Sequence, residues 1–205
     1  MYHSIFIEDL LDLVALSECF PGLLIQATVA RWRATISAML GWLVVERIKG
    51  GHATTLGGAS GAVAGLVAIT PCAGFVGGMA PVYIGIIAGA VCYLALGLKK
   101  AFQFDDSLDV VAVHLVGGLV GSLLLGFFAD SSINPAVVNE GVFLGGGGDL
   151  LVDQLLASVV TLAYSFAASL VIGKVIDLAI GLRVSDEDED LGLDLSQHAE
   201  VAYAD

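Results

Sequence analysis

From Ala53 to Leu98 the chain runs 46 residues without an Asp, Glu, Lys or Arg. As one helix this stretch would be about 70 Å long, more than twice a hydrocarbon core of ~30 Å. It therefore has to be two membrane spans with a break. Thr70-Pro71, Gly77-Gly78 and Pro81 mark that break and place helices near 54–72 and 79–98. A third span covers 109–129, uncharged after Asp109 except for His114. A fourth runs from about Leu151 to Leu182. It is longer than a bilayer needs, so it tilts or projects beyond the headgroups. A weaker span at 34–46 centres on Met39 to Val45. The expectation is an all-α integral membrane protein with about five transmembrane helices. Composition agrees: 57% of residues are hydrophobic and 14% charged, against about 25% charged in soluble domains. This excludes a typical cytosolic enzyme, a secreted disulfide scaffold and a disordered chain.

The basic residues orient the spans. Arg47 and Lys49 follow the first span, Lys99 and Lys100 the third, and Lys174 and Arg183 end the last. The alternate loops, 73–80 and 130–150, hold neither Lys nor Arg. By the positive-inside rule, 47–53, 99–108 and the C-terminus are cytoplasmic. Residues 183–205 carry eight acids against one arginine, so seven of the thirteen net negative charges lie in this tail. A run of that kind is either a solvated terminus or a docking site, and nucleic acid is no partner for it. The segment 1–36 stands apart as atypical. Glu8, Asp9, Asp12 and Glu18 make its start amphipathic, and Arg31 and Arg33 follow its apolar stretch. Arginine at a helix centre costs about 2.5–3.5 kcal/mol on insertion scales. The expected domains are thus 1–36, a transmembrane domain at 37–182, and an acidic cytoplasmic tail at 183–205. Cys19, Cys72 and Cys92 form no metal or redox spacing and read as reduced, buried and structural.

Glycine repeats at four-residue spacing in Gly57/Gly61/Gly65, Gly85/Gly89 and Gly117/Gly121. Such spacing lets helix backbones approach closely in lipid, within one subunit or between subunits. Gly145 to Gly148 lacks the ending of a phosphate loop. The residue that carries chemistry is His114. It lies five residues beyond Asp109, about 7–8 Å along a helix axis, hence inside the hydrocarbon zone. An intramembrane imidazole either faces a cavity or partner or bonds to a carbonyl in the bundle core. Val110 lies one turn before it on the same face. Asp109, three residues after Asp106, suits a helix start or a pore mouth. No nucleophile–base–orienter set, metal cluster or cofactor motif is present, so an enzyme is the weaker class.

Several motifs share one source: Ala38 to Trp42, Gly57-Gly-Ala-Ser-Gly-Ala-Val-Ala-Gly65, Ile69-Thr-Pro-Cys-Ala-Gly-Phe75, Asp105-Asp-Ser-Leu-Asp-Val-Val-Ala-Val-His114, and Gly181-Leu-Arg183 with Gly192-Leu-Asp194. In this order they resemble the C-terminal part of the ammonium transporter family (Amt/Mep/Rh), over about 37–205. Family members have eleven transmembrane helices and form trimers with one pore per subunit. The resemblance implies that this chain supplies helices seven to eleven of that fold. It implies that His114 is the second pore histidine, that Val110 lines the pore and that Asp109 precedes them, with Trp42 and Thr70 near the conduction path. It further implies that the tail, with Arg183, Gly192, Asp194 and His198, couples subunits and receives a PII-type regulator. Ala199 stands where many members have glycine. The first pore histidine and the aromatic gate belong to helices that have no counterpart here. The expected function is ammonium transport, in a truncated or split form that does not conduct alone. Its partners would be ammonium or ammonia, lipid, and either a homotrimer or a missing N-terminal fragment; no cofactor or metal is implied. The location would be the cell membrane, multi-pass. The alternative is a non-transporting membrane protein whose acidic tail docks a regulator.

Overall fold

The structure, a computed structural model, describes residues 21–200. Cys19 and the acidic residues up to Glu18 lie outside the described residues. Among those described there is no strand. The elements are α1 (Pro21–Gly50), α2 (Thr55–Ile69), α3 (Ala80–Ala95), α4 (Gly97–Phe102), a π-helical segment (Val111–Val116) running straight into α5 (Gly117–Phe128), a 3-10 turn (Val142–Leu144), α6 (Asp149–Ile180), α7 (Asp186–Leu191) and α8 (Leu193–His198). Residues 70–79 form the expected break. Three helical stretches, Ala80–Phe102, Val111–Phe128 and Asp149–Ile180, are long and apolar enough to cross a membrane, and Thr55–Ile69 is a shorter apolar helix.

The chain forms two compact units that meet within α6, at Ser158 and Val159. In the first unit α1 packs most extensively against α3 and α2. The packing is built from small residues. Ala34, Ala38, Ala64, Ala68 and Ala88 are fully buried, while Trp32, Ile36, Leu40, Val44 and Ile48 of α1 are all more than half exposed. A soluble protein arranges these sizes the other way round. Here the large apolar groups suit lipid, and the small ones let backbones meet. Each glycine repeat is used inside the chain. A Cβ at Gly65 would stand 2.6 Å from both the Ala34 carbonyl oxygen and the Ala38 Cβ. Gly85 and Gly89 lie against the Ala34 and Ala38 carbonyls, and Gly121 against that of Ala68. These contacts also fix direction: α1 and α3 run parallel, and α2 and α5 run the opposite way.

α1 departs from the expectation. It begins at Pro21 rather than near 34, and it is continuous through residue 36, so no element ends at the expected domain boundary. The physical reason lies in what its polar residues reach. Arg33 Nη1 donates to the Gly78 carbonyl at 2.8 Å, and Gln26 Nε2 donates to that of Val76 at 3.2 Å. Both arginines thus sit level with the 70–79 turn or beyond it, at the end of the bundle. The cost of a guanidinium at mid-membrane does not arise.

Elsewhere the corners are closed by polar side chains. Glu46 accepts from the Thr54 amide (3.1 Å) and hydroxyl (2.8 Å), joining α1 to α2. Asn134 Nδ2 donates to the Gly74 carbonyl at 3.1 Å. Cys72 and Cys92 are buried free thiols, as expected. Cys72 Sγ donates to the Gly121 carbonyl at 3.1 Å.

In the second unit, residues 159–180 of α6 are mostly apolar, with Lys174 and Asp177 near the end, and none of them is buried. Ser185 caps α7 by accepting from the Asp188 amide at 3.2 Å. Arg183 pairs with Glu189 at 2.8 Å. Gly192, at φ +88, turns the chain from α7 into α8.

Candidate functional site

The site is assembled where the chain enters the π-helical segment. The Asp106 carboxylate accepts from the Val110 amide (2.8 Å) and the Val111 amide (2.9 Å), satisfying two donors that a helix start leaves without partners. Between cap and helix, Asp109 takes the left-handed conformation, at φ +56. Only Gly, Asn and Asp adopt that conformation readily. Its carboxylate pairs with Lys99 Nζ at 2.6 Å, the two side chains being 34% and 31% exposed. Lys99 also donates to the Asp106 carbonyl at 3.3 Å.

The segment that follows is anchored on one side only. Ala112 and Val113 are each 4% exposed. A Cβ at Gly117 would lie 3.4 Å from Cys92 Sγ and from a Val67 methyl. The opposite side is open. His114 is exposed, with Val110 48% and Leu115 40% exposed. Among the described residues no hydrogen bond reaches the His114 imidazole. Of its two readings from sequence, a histidine bonded to a carbonyl in the bundle core does not match this placement. The ring stands on an apolar helix face with both nitrogens available.

Not every expected site residue joins this face. Thr70 is exposed, and its hydroxyl donates to the Leu66 carbonyl at 2.6 Å. Because Gly117 lies beside Ala64 and Gly121 beside Ala68, Thr70 stands about two turns beyond His114, toward the 70–79 end. Val63 and Leu66, 40% and 44% exposed, continue that side of α2. Trp42 goes elsewhere. It is 2% exposed, packed with Ala64, Cys92 and Val113 and edge-on to Tyr93 at 5.6 Å. Its size fills the gap between three helices, which draws it inward from the face that holds His114. Its indole N–H finds no acceptor among the described residues. Sequence reasoning missed the π-helical geometry and the Lys99–Asp109 pair. Only the clustering of Asp105, Asp106 and Asp109 hinted at an unusual helix start.

The tail residues belong to the second unit. Arg183 is paired to Glu189, Gly192 is the left-handed turn, Asp194 lies in the first turn of α8, and His198 is its last residue. Ala199 follows at φ +53. Among the described residues no group of His, Cys, Asp and Glu is placed to hold a metal.

Comparison with known proteins fits this geometry. An ammonium transporter of Mycobacterium bovis is 49% identical over 175 residues, covering 83% of this chain and 36% of its own length. The crystal structure of Candida albicans Mep2 superposes with a TM-score of 0.72 at 31% identity, covering 85% of this chain and 40% of that one. A structure described as a sensor Amt protein gives 0.73 at 26% identity, with 85% and 42% covered. The chain therefore spans less than half the length of these relatives. The model of the Ammonium Transporter Family matches residues 17–203, a range that starts inside the segment expected to stand apart. By that match, over most of its length, this chain belongs to the Ammonium Transporter Family.

Proposed function

We propose that this chain forms one wall of an ammonium conduction path, with His114 as its polar group. The observation that carries the reading is the exposed, unbonded imidazole of His114 on an otherwise apolar helix face. Ammonia leaving water for a bare apolar lining loses hydrogen bonds worth a few kcal/mol. A neutral imidazole restores one of them and can accept a proton from the ion. Val110 and Leu115 keep the lining dry. Thr70 supplies a hydroxyl two turns away, and Asp109 holds the entrance. Trp42, although expected near the path, supports this wall from behind by packing on Val113.

The face is open along its length, so conduction needs a second set of helices, carried by the same polypeptide or by another chain. The relatives, more than twice as long, support this. The family background and the basic-residue pattern support a trimer with the tail in the cytoplasm. The folded acidic tail, with Arg183, Gly192, Asp194 and His198, is where a PII-type regulator would dock.

The test is methylammonium uptake in cells lacking ammonium transporters. The described half alone is expected to give no uptake above background. Supplied together with helices one to six of a close relative, it should give uptake, and His114→Ala should change the rate or ion selectivity without loss of assembly. Robust uptake by the described half alone would overturn the need for a second wall. Uptake in the completed protein that ignores His114→Ala would remove His114 from the path.

A further inference from the structure

The π-helical segment poses a question that the conduction reading leaves open: what keeps it from relaxing to an ordinary α-helix. A π-helical turn is an unfavourable arrangement, and where it persists it is held by its surroundings. Its C-terminal side is fixed, because Gly117 and Gly121 press α5 onto Cys92, Val67 and Ala68. Relaxation would therefore displace the N-terminal side. An α-helix turns through a larger angle per residue than a π-helix. With α5 anchored, the change would carry His114 toward the bearing now held by Val113, which is buried at 4% exposure. The imidazole would leave the open face.

The N-terminal side is tied down by one cation. Lys99, at the end of the α3–α4 stretch, reaches the Asp109 carboxylate at 2.6 Å and the Asp106 carbonyl at 3.3 Å. These anchors bracket Ser107 and Leu108. The Asp106 carboxylate in turn holds the Val110 and Val111 amides. Asp109 itself sits at φ +56, a conformation outside any helix, so it marks where the helix begins. The neighbouring Lys100 is exposed and makes no such contact.

We propose that Lys99 is a positioning residue: by clamping the Asp106–Asp109 turn it fixes where the π-helical segment begins, and so holds His114 on the open face. Its consequence for transport rests on the conduction reading above; its structural content does not.

The experiment uses the full chain in lipid nanodiscs with 15N-labelled histidine, the His114 ring signal being assigned by its loss in His114→Gln. Two quantities are read: the His114 ring resonance and amide hydrogen exchange over Val111–Val116. Lys99→Met and Asp109→Asn are each expected to shift the resonance and to speed exchange about fivefold, the scale of a half-exposed ion pair. Lys99→Arg, which keeps the cation, should restore both toward the parent, and Lys100→Met should change neither. Should Lys99→Met fail to fold, Asp109→Asn, nearly identical in shape, decides. Unchanged resonance and exchange in Asp109→Asn would overturn the inference, as would an equal response to Lys100→Met. If these signals respond as expected but the completed protein shows no uptake, Lys99 still positions His114 and the conduction reading falls.

Discussion

At the residue scale the fold depends on side chains that are absent. Gly121 lies against the Ala68 carbonyl, and a Cβ there would overlap backbone rather than a flexible side chain. Gly121→Val is therefore expected to destabilise the bundle by about 1–3 kcal/mol or more, since overpacked cores relax poorly. Unfolding in mixed SDS and dodecylmaltoside micelles measures this, and a variant as stable as the parent would refute the close contact. Gly118, with nothing near its Cβ position, is the internal control. The tail gives the converse case. Ala199 holds φ +53 without a side-chain reason, and a left-handed non-glycine residue costs roughly 1–2 kcal/mol. Ala199→Gly should strengthen the end of α8, read as slower amide exchange at Ser196 and Glu200, whose carbonyl partners are Gly192 and Asp194. Faster exchange would mean that the added backbone freedom outweighs the relief of strain.

At the element scale α1 separates what a sequence states from what a bundle decides. Its apolar stripe, Trp32, Ile36, Leu40, Val44 and Ile48, recurs every fourth residue, yet Arg31 and Arg33 hide its beginning. Only the bonds to Val76 and Gly78 place Gln26 and Arg33 beside the 70–79 turn rather than in the middle of the bundle. This yields a test of α1 by itself. Leu40→Arg should raise the cost of inserting the helix by about 2.5–3.5 kcal/mol, whereas Arg33→Leu should leave insertion as efficient or better. Glycosylation-mapped insertion into microsomes reads both, and equal effects would place Arg33 within the hydrocarbon. The later helices were legible because long uncharged runs, broken at Thr70-Pro71, leave few alternatives. The site was legible in part. A lone histidine in a span announces itself, and Val110 follows from helical spacing. The sequence leaves Trp42 between packing and a place near the path, and its burial decides for packing; an aromatic in a span faces lipid, pore or core according to neighbours distant in sequence. The π-helical segment was not legible, because it depends on the turn that Lys99 closes from another helix.

At the scale of the whole molecule, helix packing and charge make one statement about sidedness. Gly85 beside Ala34 and Gly89 beside Ala38 oblige α1 and α3 to run in the same direction. Whatever side Lys49 occupies, Lys100 therefore shares it, and the loops containing Gly77 and Gly146 lie opposite. α6 starts from that opposite side, since Leu151 packs on Gly126 at the end of α5. Its 32 residues span about 48 Å, enough to return the chain across the bilayer. Charge then selects between the two orientations that packing allows. Arg47, Lys49, Lys99 and Lys100 at one end of the first unit, against Arg31 and Arg33 at the other, favour retention of the former end in the cytoplasm, because translocating Lys and Arg is what the membrane resists. Reporter fusions after Lys49, Lys100 and Arg183 should score cytoplasmic, and fusions at Gly77 and Gly146 external. Packing and charge are tested separately. If all five score inverted, the packing stands and the charge rule does not govern this chain. If Lys49 and Lys100 score on different sides, the parallel packing of α1 and α3 is wrong, and with it the face on which His114 is displayed.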